Sequence, residues 1–197
     1  MDLDQALSNS YAKHLLDGKS LPIYTRNLYS AKSSTPSTQT FSFPITRGFT
    51  RLSGVYVTFF DGTDSWAEKF HSPLAGGGNT LARDTMTWNM TIGSERWPSF
   101  DCESAQESFY RLRMLTANHL GNTEFGFSSA EYTKTHFVVG QTFEKAAEQS
   151  SHTGINTRSG SMLTLNFRNL GAAQIVHAVL VYDQVVNLSA AGVEVLD

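Results

Sequence analysis

The chain has 197 residues, 17% of them charged and 40% hydrophobic, with a formal net charge of −3. That length suits one domain with a real core, alone or with an arm, and the faintly acidic balance argues against a nucleic-acid groove, which needs a concentrated basic face. One cysteine, Cys102, excludes an internal disulfide and favours folding in a reducing compartment, and no run of about 18 apolar residues offers a membrane span.

The acidic start, Met1 to Asp4, lacks the apolar core of a secretory signal, so none is expected. Leu3, Leu7, Tyr11 and Leu15 recur every four positions and predict a helix over residues 2–17 with one apolar stripe. Asp2 and Asp4 suit the positive end of its dipole, and Asp17-Gly18 stops it. Residues 21–29 read as a first strand, and the small, polar stretch 30–40, broken by Pro36, reads as a loop.

Strands then follow in series. Residues 40–46 alternate around Phe41, Phe43 and Ile45, and residues 49–60 carry the β-branched and aromatic run "VYVTFF". In residues 85–92, Met86, Trp88, Met90 and Ile92 alternate with threonines and Asn89, the period of two of a half-buried strand. Residues 61–84, with "DGTDSW" and "LAGGGN", form a long projecting excursion. A helix is predicted over 103–118 from the stripe Ala105, Phe109, Leu112 and Leu115, with Ser99 or Asp101 as caps and Gly121 as its stop. Further strands are expected at 136–143, 161–168, 173–182, 185–188 and 193–196. Strands in series, without helices recurring between them, exclude βαβ units and point to a sandwich or barrel.

Chemistry is sparse. The six histidines, His14, His71, His119, His136, His152 and His177, include no pair at metal-ligand spacing, so no metal or organic cofactor is expected. Cys102 as a nucleophile would need a base and a lowered pKa; a small buried residue at a helix start is the simpler reading. "GGGN", 76–79, lacks the preceding strand, following helix and lysine of a phosphate cradle. Asp61 with Asp64 form a weak Ca²⁺ candidate, and Glu103 with Glu107 a solvent-facing pair. Asn89 and Asn187 start Asn-x-Ser/Thr sequons inside predicted strands, where chance occurrence is the better account. Trp88 has the alternation of a core position; Trp66 and Trp97 lie in or beside loops and suit an interface or a sugar platform.

The order of parts carries a resemblance. A strand ending "MTIGSERWPS" leads into a helix with "ESFYRL"; "FVVGQTFEK" precedes a Gly-bearing link into "RSGSMLTLNFRN"; and "VLVYDQVVNLSAAGVEVLD" closes the chain. Over residues 24–197 this resembles the carboxyl-terminal jelly roll of double-jelly-roll major capsid proteins of eukaryotic DNA viruses, of the polinton-like virus and virophage type. Those proteins have two barrels; this chain has room for one.

The expected fold is therefore all-β: a single eight-stranded jelly-roll β-sandwich over 21–197, with one internal helix, preceded by an amino-terminal helical arm over 1–20. Phe43, Val57, Trp88, Leu165, Val179 and Val181 are expected in its core, with "MLTLNF" and "IVHAVLVY" as neighbouring strands. The resemblance implies a structural, non-catalytic capsid tile that meets copies of itself, as a homotrimer, and other capsid proteins. It implies a place in the virion after synthesis in the host cytoplasm or nucleus, and no direct contact with nucleic acid. Leu3, Leu7, Tyr11, Leu15 and Trp66 are the candidate interface residues. A carbohydrate-binding jelly roll using loop aromatics, and a jelly-roll enzyme with a composite metal site, are the alternatives.

Overall fold

The structure is a computed structural model that describes residues 4–35, 40–61, 69–70, 72, 86–121, 126–144, 153–158, 160–170 and 175–196. In chain order its elements are α1 (Gln5–Leu16), β1 (Leu21–Ser34), β2 (Thr40–Ile45), β3 (Leu52–Asp61), β4 (Lys69–Phe70), β5 (Thr87–Ile92) and β6 (Glu95–Cys102). There follow α2 (Ala105–Leu120), α3 (Ser129–Lys134), β7 (Val139–Thr142), β8 (Leu163–Arg168), β9 (Ile175–Ser189) and β10 (Gly192–Leu196).

The strands form two antiparallel sheets. One runs β1-β9-β3, with β7 and β4 on the far side of β3 and β10 on β9; the other runs β2-β8-β5-β6. Successive strands largely alternate between sheets, so each apolar face closes over the other, as in a jelly roll. Consequently β8 ("LTLNFR") and β9 ("IVHAVLVY…") lie in opposite sheets, not side by side as expected. Across the core the two sheets meet where Phe167 of β8 packs edge-on against Phe59 of β3 at 5.3 Å between ring centroids.

Period-two alternation decides which side chains fill that core. Met86, Trp88, Met90 and Ile92 are all buried, as are Leu163, Leu165 and Phe167 from β8. In β9 the core-facing set is Val176, Ala178, Leu180 and Tyr182. Val179, expected inside, has the opposite parity and is only half-buried, whereas Val181 of the same parity is buried outside that central cluster. Phe43, Val57, Trp88 and Leu165 are core residues.

Four local expectations change. Residues 30–34 belong to β1, because Ser30–Ser34 pair in register with Val179–Ile175; the sheet ladder overrides their small, polar composition. The runs 173–182 and 185–188 are one strand, since β1 pairs with β9 without a break from Leu21↔Leu188 to Ser34↔Ile175. The stretch holding Ser99 and Asp101 is strand β6, and α2 is capped instead by Ser104, whose hydroxyl accepts from the Glu107 N–H at 3.1 Å. A second internal helix, α3, follows α2; its reciprocal Ser128–Glu131 capping box satisfies the orphan amides of the first turn.

Helix α2 lies close against β3 and β7 because two glycines admit it. A Cβ on Gly54 would stand 2.3 Å from Leu115 Cδ1, and one on Gly140 would stand 2.8 Å from Leu112 Cδ1 and 3.1 Å from its Cα. Leu112 and Leu115 of the predicted stripe are accordingly buried. The outer face of the other sheet is polar: Ser42 donates to Asn166, Asn166 to Asn89, and Asn89 to Asp101, at 2.9, 3.0 and 2.7 Å. Asn89 is thus a buried, hydrogen-bonded rung.

Candidate functional site: surfaces for assembly and a buried polar centre

Of the expected interface residues, Leu3 and Trp66 lie outside the described residues. Leu7, Tyr11 and Leu15 stand on α1, which buries none of its residues. Leu7 and Tyr11 are exposed and Leu15 is half-buried, so the stripe is present and largely open. Twelve residues make a helix that is marginal alone in water. α1 therefore needs an apolar partner.

Ionisable chemistry concentrates elsewhere, between β1, β3, β9 and the ends of α2 and β7. Arg26 of β1 reaches the Glu144 carboxylate at 3.0 Å, Asp183 at 3.4 Å, and the Asn118 carbonyl at 3.1 Å. Both carboxylates are buried, with side-chain exposures of 0% and 2%. Ser53 donates its hydroxyl proton to Glu144. His119 lies 2.8 Å from the Ser53 oxygen through Nε2 and 3.0 Å from the Tyr56 hydroxyl through Nδ1. Since the Ser53 proton is already given to Glu144, proton accounting makes Nε2 the donor and Nδ1 the acceptor, the neutral imidazole.

Burial, reinforced by the Arg26 charge and opposed by Asp183, pushes His119 down to about 4. Burial pushes Tyr56 up to about 12 against the Arg26 charge. A serine beside a histidine has the outline of a nucleophile and its base. Here Ser53 is fully buried and its proton is committed to a carboxylate, so the arrangement fastens β3 and α2 together.

A pH dependence follows. The unfolded His119 takes a proton near 6.5, while the folded one resists until about 4. Between those values the unfolded state binds more protons, so stability is complete above 6.5 and falls as pH drops towards 4. Discounted for partial solvent access, the loss is about 1–2 kcal/mol. His119→Asn should flatten this part of the melting-temperature curve; curves that stay parallel from pH 7 to 4.5 would contradict it.

The remaining candidates are dispersed. His136 stacks on Phe127 with centroids 4.6 Å apart, His177 meets Phe60 edge-on at 4.9 Å, and His14 lies 3.4 Å from the Ser20 carbonyl. His71, His152, Asp64 and the "GGGN" turn lie outside the described residues. Among the described residues no three His, Cys, Asp or Glu side chains gather to hold a metal. Cys102 is buried, and burial raises its thiol to about 11, the reverse of an activated nucleophile. Glu107 binds Arg111 one helical turn on, at 2.7 and 2.9 Å. Trp97 packs edge-on against Phe143 at 5.8 Å and, with Arg96, Arg111 and Gln141, borders an open cleft of about 490 Å³.

No protein-family model matches the chain, and no curated protein does. Solved structures do. The chain is similar to PBCV-1 VP54, in a crystal structure fitted into a cryo-EM reconstruction of the virophage Sputnik, with a TM-score of 0.61 at 9% identity. It is also similar to a chain of the quasi-atomic model of the PBCV-1 virus capsid, with a TM-score of 0.55 at 10% identity. Each match covers 99% of this chain and 55% of the other, so the chain spans about half the length of the solved chains it matches. At such identities the likeness is one of fold: this chain is an all-β jelly-roll sandwich, a fold it shares with about half the length of each of these solved chains.

Proposed function

We propose that this chain is a structural capsid-type building block that associates with copies of itself, as a trimer, and performs no catalysis. The observation that carries this is the match of 99% of the chain, folded as a two-sheet jelly roll, to PBCV-1 VP54 and to a chain of the PBCV-1 virus capsid. In this reading residues 21–197 are the tile and residues 1–20 an arm that docks on a neighbour through Leu3, Leu7, Tyr11 and Leu15, with Trp66 a further contact. Other capsid proteins are its remaining partners, the virion shell is its place, and the host cytoplasm or nucleus is where it is made. The largely open stripe on α1 supports the arm, because the exposed Leu7 and Tyr11 and the half-buried Leu15, at helical spacing, gain from burial in a second molecule.

The test is the double variant Leu7→Asp, Leu15→Asp. Each buried anchor contributes about 1.5–3 kcal/mol before association costs, so the oligomer mass should drop while the circular dichroism spectrum stays that of a folded sheet. An unchanged mass with a lowered melting temperature would mean that α1 packs on its own barrel. Binding to a glycan array as a monomer would favour the carbohydrate-module alternative.

A further inference from the structure

The six-stranded sheet does not end with the barrel. β1 pairs with β9 along its whole length, but β3 pairs only with the Ile175–Tyr182 half of β9. Beyond that point β10 takes the place of β3, giving a three-stranded ribbon in which Leu21↔Leu188↔Val193 and Ile23↔Val186↔Val195 lie side by side. Alternation puts these six aliphatic residues on one face, the face that in the barrel carries Tyr29, Ala31, Leu180 and Tyr182 towards the core. The core side of the sheet thus runs on past the core: none of the six belongs to the core cluster, and Ile23, Val193 and Val195 are 45%, 65% and 52% exposed.

Two partly open apolar surfaces therefore exist in the same chain, four residues apart; Leu15, Leu21, Val186 and Leu188 are half-buried and the other described members are exposed. One is this ribbon face; the other is the α1 stripe, where Leu7 and Tyr11 are each 43% exposed. They match in length. Twelve helical residues span about 18 Å at ~1.5 Å each. Five residues of β10 span about 17 Å at ~3.3 Å each. The joining residues 17–20 would let α1 fold back onto its own ribbon, yet both surfaces stand partly open together in the single chain.

We infer that the apolar ribbon face of β1, β9 and β10 is the receiving site for α1 of a second copy of this chain. This rests on the assembly reading above and names the surface that the arm grips. Each copy gives one helix and receives one, an exchange that closes into a ring as readily as into a pair. In a trimeric ring each neighbouring pair shares one such exchange. An amphipathic helix laid on an apolar surface is an established recognition mode.

The test uses cysteine variants of the full chain with a short bis-maleimide; the native Cys102 is buried, and the unaltered chain serves as the blank. A mass-tagged Tyr11→Cys chain is mixed with an untagged Val195→Cys chain, and oligomer mass is recorded on the same sample by sedimentation. The expected product links tagged to untagged chain, and Val193→Asp with Val195→Asp lowers the oligomer mass as the arm variant does. An oligomer that yields no mixed product overturns the ribbon assignment and leaves self-association standing. A chain that stays monomeric at every concentration overturns both. A Tyr11→Cys, Val195→Cys double variant that links only within one chain, with a yield independent of concentration, shows that α1 docks on its own ribbon and also overturns the inference.

Discussion

Arg26→Ala should cost the fold about 3–5 kcal/mol, because it withdraws the guanidinium from two carboxylates that are out of water. Glu144 at 3.0 Å and Asp183 at 3.4 Å would lose their counter-ion in a site with almost no solvent access. The Asn118 carbonyl at the end of α2 would lose a donor as well. At roughly 2–4 °C per kcal/mol for a chain of this size, the melting temperature should fall by about 10 °C. Arg26→Lys should recover part of the loss, since an ammonium restores charge but cannot span three acceptors as a guanidinium does. In a double-mutant cycle, Arg26→Met combined with Glu144→Gln should be less damaging than the sum of the single changes. Strict additivity would show that the two side chains do not act as a pair.

Trp88→Ala should cost a similar amount by a different route, about 3–5 kcal/mol from a cavity in the core. Trp88 is among the largest fully buried side chains, pairs with Phe167 and Cys102 across β8 and β6, and donates its Nε1–H to Ser108 of α2 at 2.9 Å. It therefore joins the β2-β8-β5-β6 sheet to the helix. Trp88→Phe keeps most of the apolar contact and loses only that hydrogen bond, so about 1 kcal/mol is expected. Chemical denaturation of the two variants separates the contributions; equal losses would mean that the hydrogen bond, and not the filled volume, holds the site.

Regular periodicity made the central parts legible. The alternation of Met86, Trp88, Met90 and Ile92 gave both the strand and its buried face, and the Leu112–Leu115 stripe gave α2 and the face it turns to the sheet. The elements that escaped have short or mixed local signals. β6, "ERWPSFDC", carries Pro98 and three charged residues, and is a strand because β5 pairs with it through a register shift. Residues 30–34 look like loop until β9 is set beside them. For α3 a signal was present, Ser128 followed three residues later by Glu131, but its six residues are too few to show a stripe.

The polar centre was out of reach for a different reason. Arg26 and Glu144 are 118 positions apart, and no spacing in the sequence links them. Only the fold brings them to Ser53 and His119. The ribbon face is similar: Ile23, Val186 and Val195 each read as ordinary strand residues, and only the register shows them side by side beyond the end of β3. The arm stripe, in contrast, was legible at once, because Leu7, Tyr11 and Leu15 lie on one helix and need no partner to be seen.

Self-association is the central claim, and sedimentation velocity of the purified chain over a wide concentration range tests it most directly. One chain weighs 21.7 kDa. The account predicts a boundary at three times that mass, retained on dilution well below the loading concentration and reduced by Leu7→Asp with Leu15→Asp. A single boundary at the mass of one chain, at every concentration and for both proteins, would contradict it.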